Sequence, residues 1–491
     1  MSSENISGSD ASASTSATAG APVHLLVLIH GMWGNPGHLA EMRRVIEERR
    51  GQAAEEKGPG GEVLHVLVPE TNKEDGTYDG IDWGGERVAE EVYAEIKKLE
   101  EEGRKVTRFS VTGYSLGGLI ARYLVGILHQ RGFFTSVTPV NFNTVATPHI
   151  GLPRYPTVLS SLFAFFGPKL LSRTGEQFYV VDKWSKNGRP LLEVMADPNR
   201  LFYQALTLFE HVRIYANAVN DVTVPYPTAA IELEDIFVNH VQDGIKIEFD
   251  EDYVPIVKSY TIPETTARPP KPRAFSAQWF KELKPSRPLL PPALQFSFPY
   301  NVLIYVFTPV LIPLFLSLVL TRLSLASRAS RSRIKQLEKE DSGTERLVHV
   351  FATLEREVED AVVDMFDNSE GPDPSASERT LSSPSHASDL SSSSSSPDAK
   401  ELAATGKGQG KGKKKSASLT RAERQSGLVL NETQRKLVRW LNTLPGLKKE
   451  LAFIHPLRNS HGTIIARDVK RFPAHKIGEG VLRHWADHFI L

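Results

Sequence analysis

No cysteine occurs anywhere in the 491 residues. Its absence removes disulfides, thiol nucleophiles and cysteine-ligated zinc, and it suits a reducing compartment. An excess of charge of one sign is missing too: 58 Lys and Arg face 58 Asp and Glu. A nucleic-acid partner is therefore not expected for the chain as a whole. Residues 1–21 lack any apolar core and are rich in Ser and Ala. They read as a disordered tail and not as a signal peptide. Residues 288–321, conversely, contain no charge at all, and Arg322, Arg328, Arg331, Arg333 and Lys335 follow at once.

The most informative stretch is 106–130. A β-branched and aromatic run leads into Gly113-Tyr114-Ser115-Leu116-Gly117, and an amphipathic helical pattern follows. G-x-S-x-G between a strand and a helix is the pattern of a nucleophile elbow. Gly113 and Gly117 allow a turn too sharp for side chains on either side of the serine. Such a turn exposes the Ser115 hydroxyl and leaves the Leu116 N–H free for an oxyanion.

Around it, a continuous apolar run of strand length (23–30) and further strand patterns (63–70, 137–151, 211–221) alternate with helical patterns (38–50, 86–102). That alternation predicts a mostly parallel sheet covered on both faces, the α/β-hydrolase architecture. The expected divisions are a tail at 1–21, the main hydrolase part at 22–287 and an apolar segment with basic flank at 288–333. A charged helical stretch at 334–367, a disordered Ser- and Lys-rich linker at 368–424 and the C-terminal hydrolase part at 425–491 complete them. GKGQGKGKKKS, within the linker, has neither the strand nor the helix of a phosphate loop and reads as a solvated basic run.

An activated serine needs a base, and the base an orienting acid, in the chain order Ser, Asp or Glu, His. Asp221 directly follows a strand and sits in a loop pinned by Pro225 and Pro227, a better acid than Asp182, Asp197 or Asp235. His461 lies on a polar loop after the last strand pattern; His475 is its rival, with His455, His484 and His488 less well placed. The second oxyanion donor is expected at the end of the first strand. There Gly31 permits close approach, the Met32 N–H points at the acyl oxygen and His30 orients the loop.

Residues 24–39, 77–92, 113–123, 142–153, 216–231 and 459–468 together resemble, in order, the fungal and plant branch of a serine esterase and lipase family of the α/β-hydrolase superfamily. That family includes lipid-droplet phospholipase-like members. The resemblance covers about 22–260 and 428–491 and implies Ser115, Asp221 and His461 as nucleophile, acid and base. It implies lipid acyl esters as substrates, among them monoacylglycerols and phospholipids. It requires no cofactor and no metal. Tyr114 departs from the histidine of many members, which predicts altered packing beside the site rather than lost catalysis.

Residues 303–320 are long enough to span a bilayer. One straight crossing would separate Ser115 and Asp221 from His461, and Pro309 and Pro313 fall in the middle of the apolar run. The expected form is thus a hairpin or an interfacial element on a membrane or droplet surface facing the cytosol, droplet or endoplasmic reticulum, with the basic flank on anionic headgroups. A buried cap helix is the alternative. Phe163, Phe165 and Phe166 lie where lipases carry lids and are candidates for an acyl pocket. Two other functions fit the sequence: an acyl-protein thioesterase with the same site, and a catalytically silent lipid-surface scaffold.

Overall fold

In a computed structural model the described residues are 22–51, 56–155, 158–263, 276, 300–340, 428–457 and 459–491. The expected tail, the linker at 368–424, the start of the apolar segment and the charged stretch beyond residue 340 lie outside them. The strands of the main sheet are β1 (Pro22–Ile29), β2 (Val63–Leu67), β3 (Lys105–Tyr114), β4 (Thr138–Val145), β5 (His211–Asn217) and β8 (Leu447–Ala452). All are parallel, in the order β2-β1-β3-β4-β5-β8. A separate antiparallel pair, β6 (Lys246–Phe249) and β7 (Val257–Thr261), follows β5.

The unbroken apolar run of β1 is explained by burial on both faces. Val23, Leu25, Val27 and Ile29 face one layer, formed by α2 (Ile81–Glu101), α3 (Leu116–Gln130), α6 (Leu191–Ala196), α7 (Leu201–Thr207) and α10 (Glu432–Leu441). Leu26 and Leu28 face the other, formed by α1 (Ala40–Arg50) and α11 (Glu479–Asp487). On α1 the buried residues are Met42, Val45 and Ile46, a single stripe at helical spacing. The result is an α/β-hydrolase fold.

The C-terminal part joins this core rather than forming a unit of its own. An N-terminal capping box of Asn431 and Gln434 starts α10, whose Leu437 and Leu441 are buried in the first layer. Strand β8 then pairs with β5 from Val212↔Leu447 to Asn217↔Ala452, adding the sixth strand.

The first two helices after β4 are α4 (Val158–Leu170) and α5 (Ser172–Phe178). Segment 77–92, family-like in sequence, is bound to α5. Asp82 is fully buried and accepts from Arg173, from Gln177 Nε2 at 3.0 Å and from Trp184 Nε1 at 3.1 Å. Burial alone would raise its carboxyl; Arg173 overrides that and holds it below the usual range. This segment therefore fastens α2 to α5.

The proline pair does not break the apolar segment. Tyr300–Glu340 is one helix, α9, running through Pro309 and Pro313. Within the described residues no hairpin forms there, contrary to the sequence expectation. The two prolines stand four residues apart, so the carbonyls they deprive, at 305 and 309, lie on one stripe while the rest of the ladder persists. The first half of α9 is apolar and exposed, Val310 and Phe315 by about two thirds. The second half docks on the body, burying Ala326, Ser327, Ser330 and Ile334.

Candidate active site

Between the end of β3 and the start of α3, Ser115 occupies the turn alone, at φ 56° and ψ −124°. A positive φ is strained for a residue with a Cβ, and here the surroundings hold it. The Ser115 N–H donates to the Val145 carbonyl at 2.8 Å. The Ser115 carbonyl accepts from the Gly118 N–H at 3.1 Å and from the Thr147 hydroxyl at 3.0 Å. Glycine is needed on both flanks. A Cβ on Gly117 would lie 2.1 Å from the Ile29 carbonyl oxygen, and one on Gly113 2.4 Å from that of Gly117.

The acid loop follows β5. Asp221 accepts from the N–H groups of Thr223 (3.0 Å) and Val224 (2.8 Å) and from Asn217 Nδ2 (2.9 Å). These donors fix the carboxylate and leave Oδ2 aimed at His461, whose Nδ1–H donates to it at 2.9 Å. With that proton on Nδ1, Nε2 is an acceptor, and the Ser115 hydroxyl donates to it at 3.0 Å. Ser115, His461 and Asp221, drawn from segments up to 346 residues apart, thus form one hydrogen-bonded chain. All three are buried, Ser115 and His461 with small exposed faces.

Short contacts bring the histidine loop to this position. Ser460 donates its N–H to the Asn220 carbonyl and its hydroxyl to the Val219 carbonyl, both at 2.9 Å. Asn220 Nδ2 donates to the Ile454 carbonyl at 2.9 Å. Tyr114 completes the set: its hydroxyl donates to the His461 carbonyl at 3.0 Å, and its ring lies 5.1 Å from the imidazole. Burial raises the Tyr114 phenol well above its ordinary value, so it remains a donor. The sequence marked Tyr114 only as a departure from the family pattern. Ser460 and Asn217 carried no sequence signal.

The rival groups stand elsewhere. The half-buried His475 accepts from the Asp468 N–H through Nδ1, and His484 Nδ1 bonds the Tyr215 hydroxyl. Asp182 accepts from the Leu191 N–H, Asp197 pairs with Arg189, and Asp235 accepts from Tyr155.

The turn 31–34, the candidate oxyanion turn, lies directly against the serine. A Cβ on Gly31 would come within 2.7 Å of Ser115 Cβ and 3.2 Å of its Oγ. The Gly34 N–H donates to the Gly31 carbonyl at 3.1 Å, closing the turn 31–34 with Trp33 in the left-handed region, φ 53°. Among the described residues, the N–H groups of Met32 and Leu116 make no hydrogen bond; Leu116 opens α3, where the N–H has no intrahelical partner. His30 Nδ1 bonds the Gly31 carbonyl at 3.0 Å, and burial lowers its pKa, keeping the ring neutral.

On α4, Phe165 and Phe166 are exposed and meet edge to face at 5.0 Å; the side chain of Phe163 lies outside the described residues. Phe166 and Leu170 line an open groove of about 660 Å³ with Pro313, Leu316 and Leu320 of α9. Ser115 and His461 are not among its lining residues.

Residues 20–231 match the family described as putative serine esterase (DUF676). Putative lipase C4A8.10 of Schizosaccharomyces pombe is 31% identical over 218 residues, 43% of this chain and 26% of that protein. Putative lipase ROG1 of Saccharomyces cerevisiae is 30% identical over 219 residues, 42% of this chain and 28% of that protein. The chain thus spans little more than a quarter of the length of these curated relatives. Among solved structures, the RedJ thioesterase of Streptomyces coelicolor is 16% identical over 44% of this chain and 81% of its own, with a TM-score of 0.23. Phospholipase PlaB from Legionella pneumophila is 14% identical over 42% and 40%, with a TM-score of 0.26. Scores this low add nothing to the sheet order and the elbow described above. Residues 20–231, which hold the turn 31–34, the Ser115 elbow and the Asp221 loop, are thus similar to the putative serine esterase family.

Proposed function

We propose that the chain is a serine lipase that hydrolyses acyl esters of phospholipids or acylglycerols at a membrane or lipid-droplet surface. The observation that carries this reading is the Asp221–His461–Ser115 hydrogen-bond chain at a strained elbow, with Gly31 against the nucleophile. Ser115 Oγ attacks the ester carbonyl while its proton passes to His461 Nε2. The oxyanion that forms is held by the N–H groups of Met32 and Leu116. His461 returns the proton to the departing alcohol, and water then releases the acid from the acyl-enzyme by the same relay. Asp221 keeps His461 in its tautomer and stabilises the imidazolium.

The lipid surface is supported by α9. Pro309–Leu337 is long and apolar enough to cross a membrane. Ser115 and His461 are in hydrogen-bond contact, so a lone crossing between them is ruled out on geometry. The reading is therefore a helix that enters lipid from the hydrolase side, facing the cytosol, with the exposed Phe165 and Phe166 nearby.

Ser115→Ala, purified alongside the wild type, is the test. On phosphatidylcholine vesicles and on a monoacylglycerol emulsion, hydrolysis is expected to fall at least 10³-fold with the melting temperature kept. Undiminished hydrolysis sinks the mechanism. Faster turnover of an acyl-cysteine peptide than of either lipid points to the thioesterase, and failure of a fluorophosphonate to label Ser115 points to the scaffold.

A further inference from the structure

The 3-10 turn Glu74–Tyr78 stands between α9 and the oxyanion turn and is bonded to both. Towards the oxyanion turn, the Trp33 N–H donates to the Thr77 hydroxyl at 3.1 Å, and the Trp33 indole N–H donates to the Tyr78 hydroxyl at 2.8 Å. The Glu74 N–H donates to the Gly34 carbonyl at 2.9 Å. Towards α9, Arg333 donates to the Asp75 carbonyl at 2.9 Å and to both oxygens of Asp79, at 2.8 and 3.3 Å. Asp79, whose side chain is almost wholly buried, also accepts from Arg87 at 2.6 Å.

The rest of the docked half is fastened to the same neighbourhood. Ser330 and Ser172 hydroxyls meet at 3.1 Å, and Ser327 donates to the Lys169 carbonyl at 3.0 Å. From α5, Thr174 donates to the Thr77 carbonyl at 2.7 Å and accepts from the Gly80 N–H. Arg322, the first charge after the apolar run, is close enough to Tyr78 to oppose the rise that burial imposes on its phenol. Trp33 is itself half exposed.

Nothing in the esterase chemistry requires a bulky residue at left-handed φ beside the oxyanion donor, yet Trp33 takes that position and makes two hydrogen bonds from it. A turn held in a strained conformation by one external element has its geometry set by that element. We propose that Trp33 and Arg333 are positioning residues. Through the turn Glu74–Tyr78 they couple the seating of the lipid-facing helix α9 to the placement of the Met32 N–H over Ser115. The proposal rests on the esterase reading above.

The test is a double-mutant cycle in the full chain with Arg333→Ala and Trp33→Phe, read first on a soluble short-chain ester that needs no lipid surface. Arg333→Ala leaves Asp79 paired with Arg87, so the fold is expected to survive. Tyr78→Phe, which removes a single oxygen, is a second route to the same contact. Each variant is expected to lower kcat about three- to tenfold with KM unchanged, and Arg333→Lys to recover part of the loss. The double variant is expected to be no slower than the slower single variant, as one pathway requires. Losses that multiply in the double variant, an effect confined to KM or to vesicle binding, or kcat equal to wild type would each overturn the proposal. Ser115→Ala in the same series separates the two ideas. Activity independent of Ser115 condemns the esterase reading, whereas Ser115-dependent activity untouched in Arg333→Ala condemns the coupling alone.

Discussion

Gly31→Ala is the sharpest probe of how the proposed oxyanion turn meets Ser115. The added methyl would stand 2.7 Å from Ser115 Cβ and 3.2 Å from both Ser115 Oγ and the Tyr114 carbonyl oxygen. Carbon atoms in contact rest at about 3.5–4.0 Å, so the turn and the elbow must separate by roughly 1 Å. Overpacking of this kind costs about 1–3 kcal/mol of stability. Ser115 is held to Val145, Gly118 and Thr147, whereas the 31–34 turn is the outer partner, so the turn should move. A displacement of about 1 Å takes the Met32 N–H out of hydrogen-bond range of the oxyanion. Loss of one such donor costs about 10²–10³ in kcat. Steady-state kinetics on a soluble ester, with a thermal melt alongside, measures both quantities. A folded Gly31→Ala protein with kcat within threefold of wild type would refute the assignment of this turn to the oxyanion.

Two further perturbations probe the supports of the site. Tyr114→Phe strips the His461 carbonyl of its donor while keeping the ring, so kcat should fall about five- to thirtyfold on a cost of roughly 1–2 kcal/mol; unchanged kcat and melting temperature would show the bond to be idle. His24 is buried against Ser110 at 2.7 Å, and burial holds its pKa down to about 3, against an ordinary value of 6.5. The unfolded chain therefore binds the extra proton first. The stabilisation is complete above pH 6.5 and is lost as pH falls towards 3, by about 2 kcal/mol at pH 5. The stability gap between wild type and His24→Gln, from urea melts, should narrow by that amount between pH 7.5 and 5, and a constant gap would contradict it.

The elbow, the strand alternation and the order of Ser115, Asp221 and His461 were legible because each is a local pattern or a consequence of chain order. What was not legible depends on side-chain partners far away in sequence. Tyr114 reaches across 347 residues to the His461 carbonyl, and Arg333 reaches across 254 to Asp79. No periodicity reports such pairs. Segment 77–92 read as a family signature without a role; the buried Asp82 shows it to be a fastening between α2 and α5. The apolar segment misled in one respect. Two prolines in a helical run predict a break, but their spacing of four residues concentrates the damage on one stripe, and α9 continues.

Because β8 must add to β5 before His461 can meet Asp221, competence is also a matter of time. During synthesis Ser115 and Asp221 leave the ribosome first, and His461 lies 240 residues after Asp221. At about 5–20 residues per second that is a delay of roughly 10–50 s. Throughout it Ser115 lacks the His461 partner to which its hydroxyl donates. On the proposed serine-lipase reading, a chain whose last strand fails to dock lacks its base however well the rest has folded, so the sixth strand works as a completion signal for the site.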